Sequence, residues 1–440
     1  MKLHSLKKLR EKVNSNTKRL VFYSHDTFGL GNIRRTLSIC QFLMQSIPDL
    51  SILIISGSPM IHSFRIPEGV DYIKLPCLTR TESNGYGAKY LRENTRDIVK
   101  LRTELIVCAL ANFQPDLVIV DKKPYGVENE LEPALTYLHT YHPETKITLL
   151  LRDILDSPQA TRAIWKKQEY FKALETHYDR IFILGAPEVF KACSEYQFPT
   201  DLKKKTQYCG YLRRESGQHT REHMRKKLEL TPDDRMVLVT AGGGEDGVWL
   251  FQQYLESMAR LSQHRRVYSI FIFGPEMPEI SRQELETQAS RWPSIKTLTF
   301  SDDVMSYLNA ADVAISMGGY GTICELLSLD KPALVIPRVR PVEEQWIRAQ
   351  RMAELGFFQT IHPDQLNSDS LCEKLESLLD QTRDPRKLSP KPVVNLNALP
   401  TLTMAVLNLL MKGSWGHANS DTQGKYQPPE RFYQGMLLPA

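Results

Sequence analysis

Three glycine-rich loops could place backbone N–H groups against an anion. They lie within residues 24–37 (SHDTFGLGNIRRTL), 240–247 (TAGGGEDG) and 316–322 (SMGGYGT), each at the carboxyl end of a predicted strand. A single glycine loop is weak evidence, because many such loops only turn a strand into a helix. Three at strand ends are more specific, since doubly wound α/β sheets bind ligands there. The spacing therefore predicts phosphate-binding loops.

The third loop holds three glycines in four positions and is followed by a predicted helix over 322–329. Thr322 and Glu325 share one face of that helix, while Ile323 faces the core. If a diphosphate lies at the helix amino end, Glu325 begins about 5 Å further along the axis, where ribose hydroxyls would lie. The alternative for Glu325 is a surface carboxylate that favours the first helical turn through the helix dipole.

The first loop resembles a dinucleotide-binding fingerprint only in part. Arg34 occupies the position of the third glycine, and the following strand, SILIIS, ends in Ser56 where an acidic residue should bind the ribose. These departures disfavour a nicotinamide-dependent dehydrogenase.

Predicted strands and helices alternate in two series, which is typical of parallel sheets covered by helices on both faces. We therefore expect an α/β protein with two doubly wound, Rossmann-like domains. The predicted strands are 19–24, 51–56, 116–120, 146–151 and 180–184, then 236–240, 267–273, 295–300, 312–316 and 333–336. The predicted helices include 32–45, 90–113, 131–140, 159–176 and 402–411.

The alternation is interrupted by a polar segment over 199–220, which we interpret as the crossover between domains. The expected organisation is a basic tail (1–18), an N-terminal acceptor domain (19–207), a linker (208–220), a C-terminal donor domain (221–395), a final helix (396–412) and a disordered tail (413–440).

Composition excludes several classes of protein. The chain is 42% hydrophobic and 24% charged, as globular proteins are, and no apolar run approaches the roughly 20 residues of a membrane span. Seven cysteines without a Cys-x-x-Cys pair indicate reduced thiols in a cytoplasmic protein.

Charge is concentrated at the amino terminus. Residues 1–20 hold seven basic residues and one acidic residue, whereas the whole chain has a net charge of +5. This segment could rest on an anionic membrane surface as a peripheral contact, or be a solvated, frayed terminus. Nothing in the pattern indicates nucleic-acid binding.

A family resemblance covers most of residues 20–395. The stretch 301–356, with SMGGYGTICELL and RPVEEQW, resembles the donor-binding region of GT-B glycosyltransferases of the MurG-like type. These add N-acetylglucosamine to the lipid-linked peptidoglycan precursor. A family of uncharacterised, predicted glycosyltransferases is closer still, with SHDTFGLG, VDKKPYG and LRDILDSP. The resemblance implies a GT-B fold, two Rossmann-like domains facing across a cleft, and an enzyme that uses a nucleotide-diphosphate sugar, expected to be UDP-linked.

The resemblance also implies roles for residues on the donor side. Gly318, Gly319, Gly321 and Thr322 would surround the diphosphate, Glu325 would bind the ribose, and Glu344 and Gln345 would contact the sugar. Gly242, Gly243 and Gly244 would line the cleft, and Gly29 and Gly31 would let the first loop approach the donor phosphate and the acceptor.

The expected mechanism uses neither a metal nor a further cofactor. GT-A enzymes hold a metal with an Asp-x-Asp motif, and this sequence has none. Helix dipoles and backbone N–H groups would then stabilise the leaving diphosphate. Retaining GT-B enzymes often carry a second Glu eight positions before the ribose Glu. Met317 occupies that position, which favours inversion.

The sequence offers more than one candidate for the general base. Related enzymes have His after the first Gly-x-Gly, where this chain has Asn32, which cannot accept a proton at neutral pH. His25 lies nearby and could be the base, and Asp26 could be the base or could orient His25. The alternative is that both residues only cap the loop.

Further polar residues follow two later strands of the N-terminal domain. Asp121 or Asp153 could be the base, and Lys122 or Arg152 could attract an acceptor that is anionic or lipid-linked.

Three functions therefore stay open. The first is an inverting glycosyltransferase, and the second is a UDP-sugar 2-epimerase of the same fold. The third is a nucleotide-sugar-binding protein without catalysis, in which Asn32 marks lost chemistry.

Overall fold

The computed structural model describes residues 17–25, 30–81, 85–264, 267–382 and 392–411. The predictions for Asp26 and Gly29, and those for the tails before residue 17 and after residue 411, lie outside the described residues.

The N-terminal half is a parallel sheet in the order β3-β2-β1-β6-β7-β8-β9, with a separate antiparallel hairpin, β4–β5. Its strands are β1 Lys18–Ser24, β2 Leu50–Ser56, β3 Val70–Lys74, β4 Leu78–Arg80, β5 Tyr86–Ala88, β6 Leu117–Asp121, β7 Lys146–Arg152, β8 Arg180–Leu184 and β9 Thr206–Tyr208. Its helices are α1 Leu30–Ser46, α2 Thr95–Phe113, α3 Glu132–Tyr141, α4 Pro158–Lys167, α5 Tyr170–His177, α6 Ala192–Glu195 and α7 Thr200–Lys205.

The C-terminal half is a second parallel sheet in the order β12-β11-β10-β13-β14-β15. Its strands are β10 Arg235–Thr240, β11 Val267–Ile272, β12 Ile295–Leu298, β13 Val313–Ser316, β14 Ala333–Val335 and β15 Gln359–Thr360. Its helices are α8 Arg221–Lys227, α9 Val248–His264, α10 Glu279–Ala289, α11 Val304–Ala310, α12 Tyr320–Ser328, α13 Glu344–Glu354 and α14 Ser368–Gln381, followed by α15 Ala398–Met411. The predicted fold class, α/β with two Rossmann-like parallel sheets, is confirmed.

The chain crosses between the two halves at two adjacent segments. Tyr211 N donates to Asn395 O at 2.7 Å, and Leu212 and Asn397 form an antiparallel bridge. Gly210 has φ +90°, and a Cβ there would lie 2.6 Å from Asn395 O, so only glycine fits this close approach. After the second crossing, α15 returns to pack against α1 of the N-terminal half.

An apolar surface joins the halves, and we call it the interdomain seam. One hydrophobic cluster contains Ile33 of α1, Ile323 of α12 and Val406 of α15, all fully buried. Since the seam is continuous with the cores of both sheets, it fixes how the carboxyl ends of the strands face one another.

Several predicted boundaries differ from the structure. The helix predicted over 159–176 is two helices, because the chain turns at Glu169, which has a left-handed φ of +50°. The helix predicted from 90 begins at Thr95, where the Asn94 side chain accepts from Asp97 N. The short strands β3, β9 and β15 were not predicted, and α7 and β9 lie inside the predicted crossover. The limits of the domains stay predictions.

Among the helices described above, none combines the length and apolar composition needed to cross a bilayer.

Candidate functional site

The amino end of α12 is open toward the space beside it. Gly319 is its N-cap residue, with extended backbone (φ −62°, ψ 143°) and no side-chain cap. A Cβ at Gly321 would meet nothing within 4 Å, and one at Gly319 would meet only Thr322 Oγ1, at 4.0 Å. Within the described part of the chain, no side chain therefore caps this helix terminus with a hydrogen bond.

The second glycine loop converges on the same point. Thr240 and Ser316 are paired at the ends of β10 and β13, so both loops leave adjacent strands. A Cβ at Gly242 would lie 3.7 Å from Thr322 Oγ1. Gly244 instead has φ +98° and packs against Phe273 O, just after β11, where a Cβ would lie at 2.5 Å. Gly242 thus lies toward the α12 terminus, whereas Gly244 allows tight packing inside the half.

Gly243 lies between these two glycines and faces a carboxylate. A Cβ at Gly243 would lie 2.7 Å from Glu276 Oε2. Burial, followed by the nearby Glu245 carboxylate, raises the pKa of Glu276.

Glu325 lies one turn along α12, and its carboxylate has no ion-pair partner within the described chain. Among the described residues, no side chain makes an ion pair or a side-chain hydrogen bond with it. Burial raises the pKa of the Glu325 carboxyl, and the guanidinium groups of Arg214 and Arg34 offset part of that effect. A half-buried acceptor without a partner is costly, so this carboxylate is available to a ligand that brings hydroxyl donors.

The first turn of α13 lies against the third glycine loop. A Cβ at Gly318 would be 3.0 Å from Gln345 O and 3.3 Å from Pro337 Cβ, so the loop and helix are in direct contact. Gln345 Oε1 accepts from Arg338 N at 3.3 Å. The fold thus brings Gly318, Gln345 and Glu344 together, as the resemblance implied, although their ligand roles stay predictions.

Glu344 connects the predicted donor side to the predicted acceptor side. Its carboxylate pairs with Arg152 of the N-terminal half at 2.9 Å and lies 3.8 Å from Arg338. Burial would raise the pKa of Glu344, but Arg152, Arg348, Lys122 and Arg338 hold it below its ordinary value. The side chain is therefore an anion fixed across the cleft.

A group of basic residues lies at the ends of strands in the N-terminal half, and we call it the cationic cluster. Tyr23 of β1 is paired with Val120 of β6, and Val120 with Leu149 of β7, so the residues after these strands are neighbours. The cluster consists of His25, Arg80, Lys122, Lys123 and Arg152.

Lys122 lies at the centre of this cluster. Burial and then the charge of Arg152 lower the pKa of Lys122 to about 7, with smaller effects from Arg80 and Lys123. Lys122 also has a left-handed φ of +72°, which is costly for a residue with a Cβ. No carboxylate among the described residues lies within ion-pair distance of its amine, although the Glu344 carboxylate, which pairs with Arg152, partly offsets the lowering of its pKa.

His25 is buried at the end of β1 and retains an unpartnered ring nitrogen. It is 2% exposed, and within the described chain its Nδ1 has no hydrogen-bond partner. Burial, followed by the charges of Lys122 and Lys123, lowers its pKa well below 6.5. The ring is therefore neutral at physiological pH and can accept a proton.

Asn32 and Asp121 are held by one arginine that the sequence did not indicate. Asn32 donates to His25 O at 2.9 Å, and its Oδ1 accepts from Arg35 at 3.2 Å. Arg35 Nη2 donates to both Asp121 oxygens, at 2.9 and 2.8 Å, and both residues are buried. Asp121, predicted as a base, thus lies in a closed ion pair that anchors α1. Gly31, by contrast, is exposed, and a Cβ there would meet nothing within 4 Å.

Asp153 occupies the seam instead of the cleft wall. Arg348 of α13 donates to both of its oxygens, at 2.7 and 2.8 Å, and Tyr211 donates from the linker at 2.9 Å. All three side chains are at most 1% exposed. This placement does not suit the acceptor-side role predicted for Asp153, because its carboxylate is enclosed by protein donors.

The family model that matches the chain is the glycosyltransferase family 28 C-terminal domain, over residues 236–398. This range contains the second and third glycine loops, Glu325 and the first turn of α13.

Two curated relatives match the chain at low identity. An uncharacterized glycosyltransferase of Methanopyrus kandleri is 24% identical over 160 residues, which is 36% of this chain and 42% of that protein. The UDP-N-acetylglucosamine–N-acetylmuramyl-(pentapeptide) pyrophosphoryl-undecaprenol N-acetylglucosamine transferase of Desulfitobacterium hafniense is 22% identical over 375 residues, covering 82% of this chain and 90% of that enzyme.

Solved structures with the same architecture include two kinds of protein. MurG of Acinetobacter baumannii aligns with a TM-score of 0.58 at 11% identity, over 89% of this chain and 99% of that one. A putative UDP-N-acetylglucosamine 2-epimerase of Listeria monocytogenes aligns with a TM-score of 0.61 at 13% identity, over 90% and 97%. At these identities the likeness shows the fold alone. Taken with the family model and the sequence relatives, it supports a GT-B glycosyltransferase of the MurG-like type.

Proposed function

We propose that the chain transfers a sugar from a UDP-linked donor to an anionic acceptor, with inversion and without a metal. The observation that carries this proposal is the open, uncapped amino end of α12 with the unpartnered Glu325 carboxylate one turn further on. A nucleoside diphosphate has the two matching groups, a pyrophosphate for the helix terminus and ribose hydroxyls for the carboxylate. The relative in Desulfitobacterium hafniense is named for a UDP-linked donor, which supports the choice of nucleotide.

On the donor side, backbone N–H groups from Gly319 to Thr322 would bind the diphosphate and stabilise its charge as it leaves. Gly242 borders the same space, and Glu344 and Gln345 would contact the sugar. Since the helix terminus supplies fixed positive dipoles, the departing group needs no metal in this scheme.

On the acceptor side, the cationic cluster would bind a phosphate or another acidic group. Lys122 is the best placed cation because it lacks a carboxylate partner in the described chain, whereas Arg152 is already paired with Glu344. The relative in Desulfitobacterium hafniense is named for a pyrophosphoryl-undecaprenol acceptor, which is anionic and lipid-linked.

For the chemical step, His25 would accept the proton of the acceptor hydroxyl through its unpartnered Nδ1. Direct displacement by that hydroxyl, from the face opposite the leaving diphosphate, inverts the sugar carbon. Asp26, beside His25 in the sequence, stays a predicted partner.

The donor site is tested by isothermal titration of UDP into the wild type and into Glu325→Gln at about pH 8, since a high pH favours the ionised form of a carboxyl whose pKa is raised. The variant should bind UDP about tenfold or more weakly, the usual cost of losing a charge-assisted hydrogen bond. Glu354→Gln, an exposed carboxylate on α13, is the matched control and should bind as the wild type does. Equal affinities for wild type and Glu325→Gln would reject the site.

An epimerase is the second candidate, because epimerases share the fold. Incubation with UDP-N-acetylglucosamine alone, followed by proton NMR, separates the two functions. A 2-epimer formed without an acceptor would reject the transferase. Binding without hydrolysis, transfer or epimerisation would favour a non-catalytic binding protein.

The basic amino terminus extends this proposal to a cytoplasmic membrane surface. Removing residues 1–16 should reduce sedimentation with vesicles that contain anionic lipid. Equal sedimentation of both forms would exclude this segment as the contact.

A further inference from the structure

Arg348 is a fully buried arginine that bonds to both halves of the molecule at once. Its Nε and Nη2 donate to the two oxygens of Asp153 in the N-terminal half, at 2.7 and 2.8 Å. Its Nη1 donates to Gly318 O in the third glycine loop at 2.8 Å. The planar guanidinium has a fixed geometry, so the carboxylate and the carbonyl cannot move independently while these bonds persist.

Two tyrosines enclose this contact. Tyr211 of the linker donates to Asp153 and stacks on Tyr320, the first residue of α12, with ring centroids 5.9 Å apart. Arg348 lies 5.8 Å from the centroid of the same Tyr320 ring. The linker, the seam and the start of α12 therefore form one packed unit.

We propose that Arg348 is a positioning residue that sets the donor loop according to the position of the N-terminal half. In a trans peptide the C=O and N–H groups point in opposite directions. The bond from Arg348 to Gly318 O therefore aims the Gly319 N–H away from Arg348. Asp153 holds Arg348 in the orientation that makes this bond.

The inference rests on the proposed function only in that the Gly319 N–H would bind the donor diphosphate. The mechanical coupling itself needs no ligand. Rotation of the N-terminal half away from α13 would move Asp153, turn the guanidinium and release the Gly318 carbonyl. The closed arrangement of the halves and donor binding would therefore favour each other.

The coupling is tested by amide hydrogen–deuterium exchange, read in the peptide that spans 316–326, without nucleotide. Asp153→Asn changes a residue in the opposite half and should make exchange in this peptide about tenfold faster. Arg351→Ala is the matched control. Arg351 lies on the same helix, and its Nη2 is 4.0 Å from Glu195 Oε1 of the N-terminal half, without a bond to the loop. It should leave exchange in the peptide unchanged.

Two milder variants keep the test decisive if Asp153→Asn loses its cooperative thermal transition. Tyr211→Phe removes one donor to Asp153 and keeps the ring, and Arg348→Lys keeps the charge but cannot span the carboxylate and the carbonyl. Both should accelerate exchange in the same peptide. Unchanged exchange in every folded variant, or equal acceleration in Arg351→Ala, would overturn the inference.

Titration of UDP separates the two proposals. In the folded variants the Kd for UDP should rise about tenfold, whereas a merely structural role would lower the melting temperature and leave the Kd unchanged. If the wild type binds no UDP, the proposed function fails, while the exchange measurement still decides the coupling.

Discussion

Replacing Lys122 with Gln should make the protein more stable and its acceptor binding weaker. Lys122 combines burial, a left-handed φ of +72° and three cationic neighbours that lower its pKa. Gln has a similar length and the same unbranched Cβ, so the backbone strain is unchanged by the substitution. The comparison therefore isolates the charge.

The magnitude follows from the pKa. Burial and neighbouring charge lower the pKa of Lys122 from 10.5 to about 7. At about 1.4 kcal/mol for each pKa unit, the buried charge costs at most about 5 kcal/mol. Burying the Gln amide costs about 1–3 kcal/mol, so the free energy of unfolding should rise by about 2 kcal/mol near pH 7.

The gain should depend on pH in a defined direction. Below the folded pKa of about 7, Lys122 is protonated in both states and its full cost is present. Between about 7 and 10.5 the unfolded chain keeps the proton that the folded chain loses, so the wild type gains stability as the pH rises. The advantage of Lys122→Gln should therefore shrink by up to about 1.4 kcal/mol per pH unit.

Urea unfolding of both proteins at about pH 7 and about pH 9.5 measures this difference directly. A variant that is less stable than the wild type at about pH 7, or an advantage that does not change with pH, would refute the reasoning. In parallel, the KM for an anionic acceptor should rise while the affinity for UDP is unchanged.

Three further predictions concern two positions, Gly185 and His25. Gly185→Ala should lower the melting temperature by several degrees, because the new Cβ would lie 2.6 Å from Asp153 Cβ and 2.9 Å from Asp153 Cα. An unchanged melting curve would show that the loop after β8 relaxes freely. If His25 is the base, its lowered pKa should place the acid limb of kcat/KM below pH 6.5, and a limb at or above that pH in the pH–rate profile would exclude it. The lowered pKa of His25 also predicts that the free energy of unfolding falls as the pH drops below 6.5. In that range His25 binds a proton in the unfolded chain and stays neutral in the folded one.

The fold could be predicted from the sequence because its signals are local. The strand predicted over 180–184 matches β8 residue for residue, since its apolar run is bounded by polar and glycine residues. The strands β9 and β15 have three and two residues, which is too short for any periodicity to appear. They form because the backbone of a neighbouring strand, β8 or β14, is available for hydrogen bonding, and that is a property of the assembled sheet.

The candidate site divides in the same way. The positions of the glycine loops at strand ends and of Glu325 on α12 could be predicted, because glycine before a helix is a signal within a few residues. Their ligand roles stay predictions. The pairs Arg35–Asp121 and Arg348–Asp153 join residues 86 and 195 positions apart. An arginine within a helical pattern ordinarily indicates a solvated face, so the sequence offered no signal for a buried partner.

Those two ion pairs decide which polar groups remain for chemistry. Two of the three carboxylates predicted as candidate bases, Asp121 and Asp153, are enclosed by arginine, one anchoring α1 and the other joining the halves. Within the described chain, His25 Nδ1, the Lys122 amine and the Glu325 carboxylate keep no partner of their own. A folded chain tolerates the cost of an unsatisfied buried group where a ligand completes it. Three of the groups left incomplete, a neutral base, a cation and an anion, are of the kinds that glycosyl transfer from a nucleotide to an anionic acceptor would use.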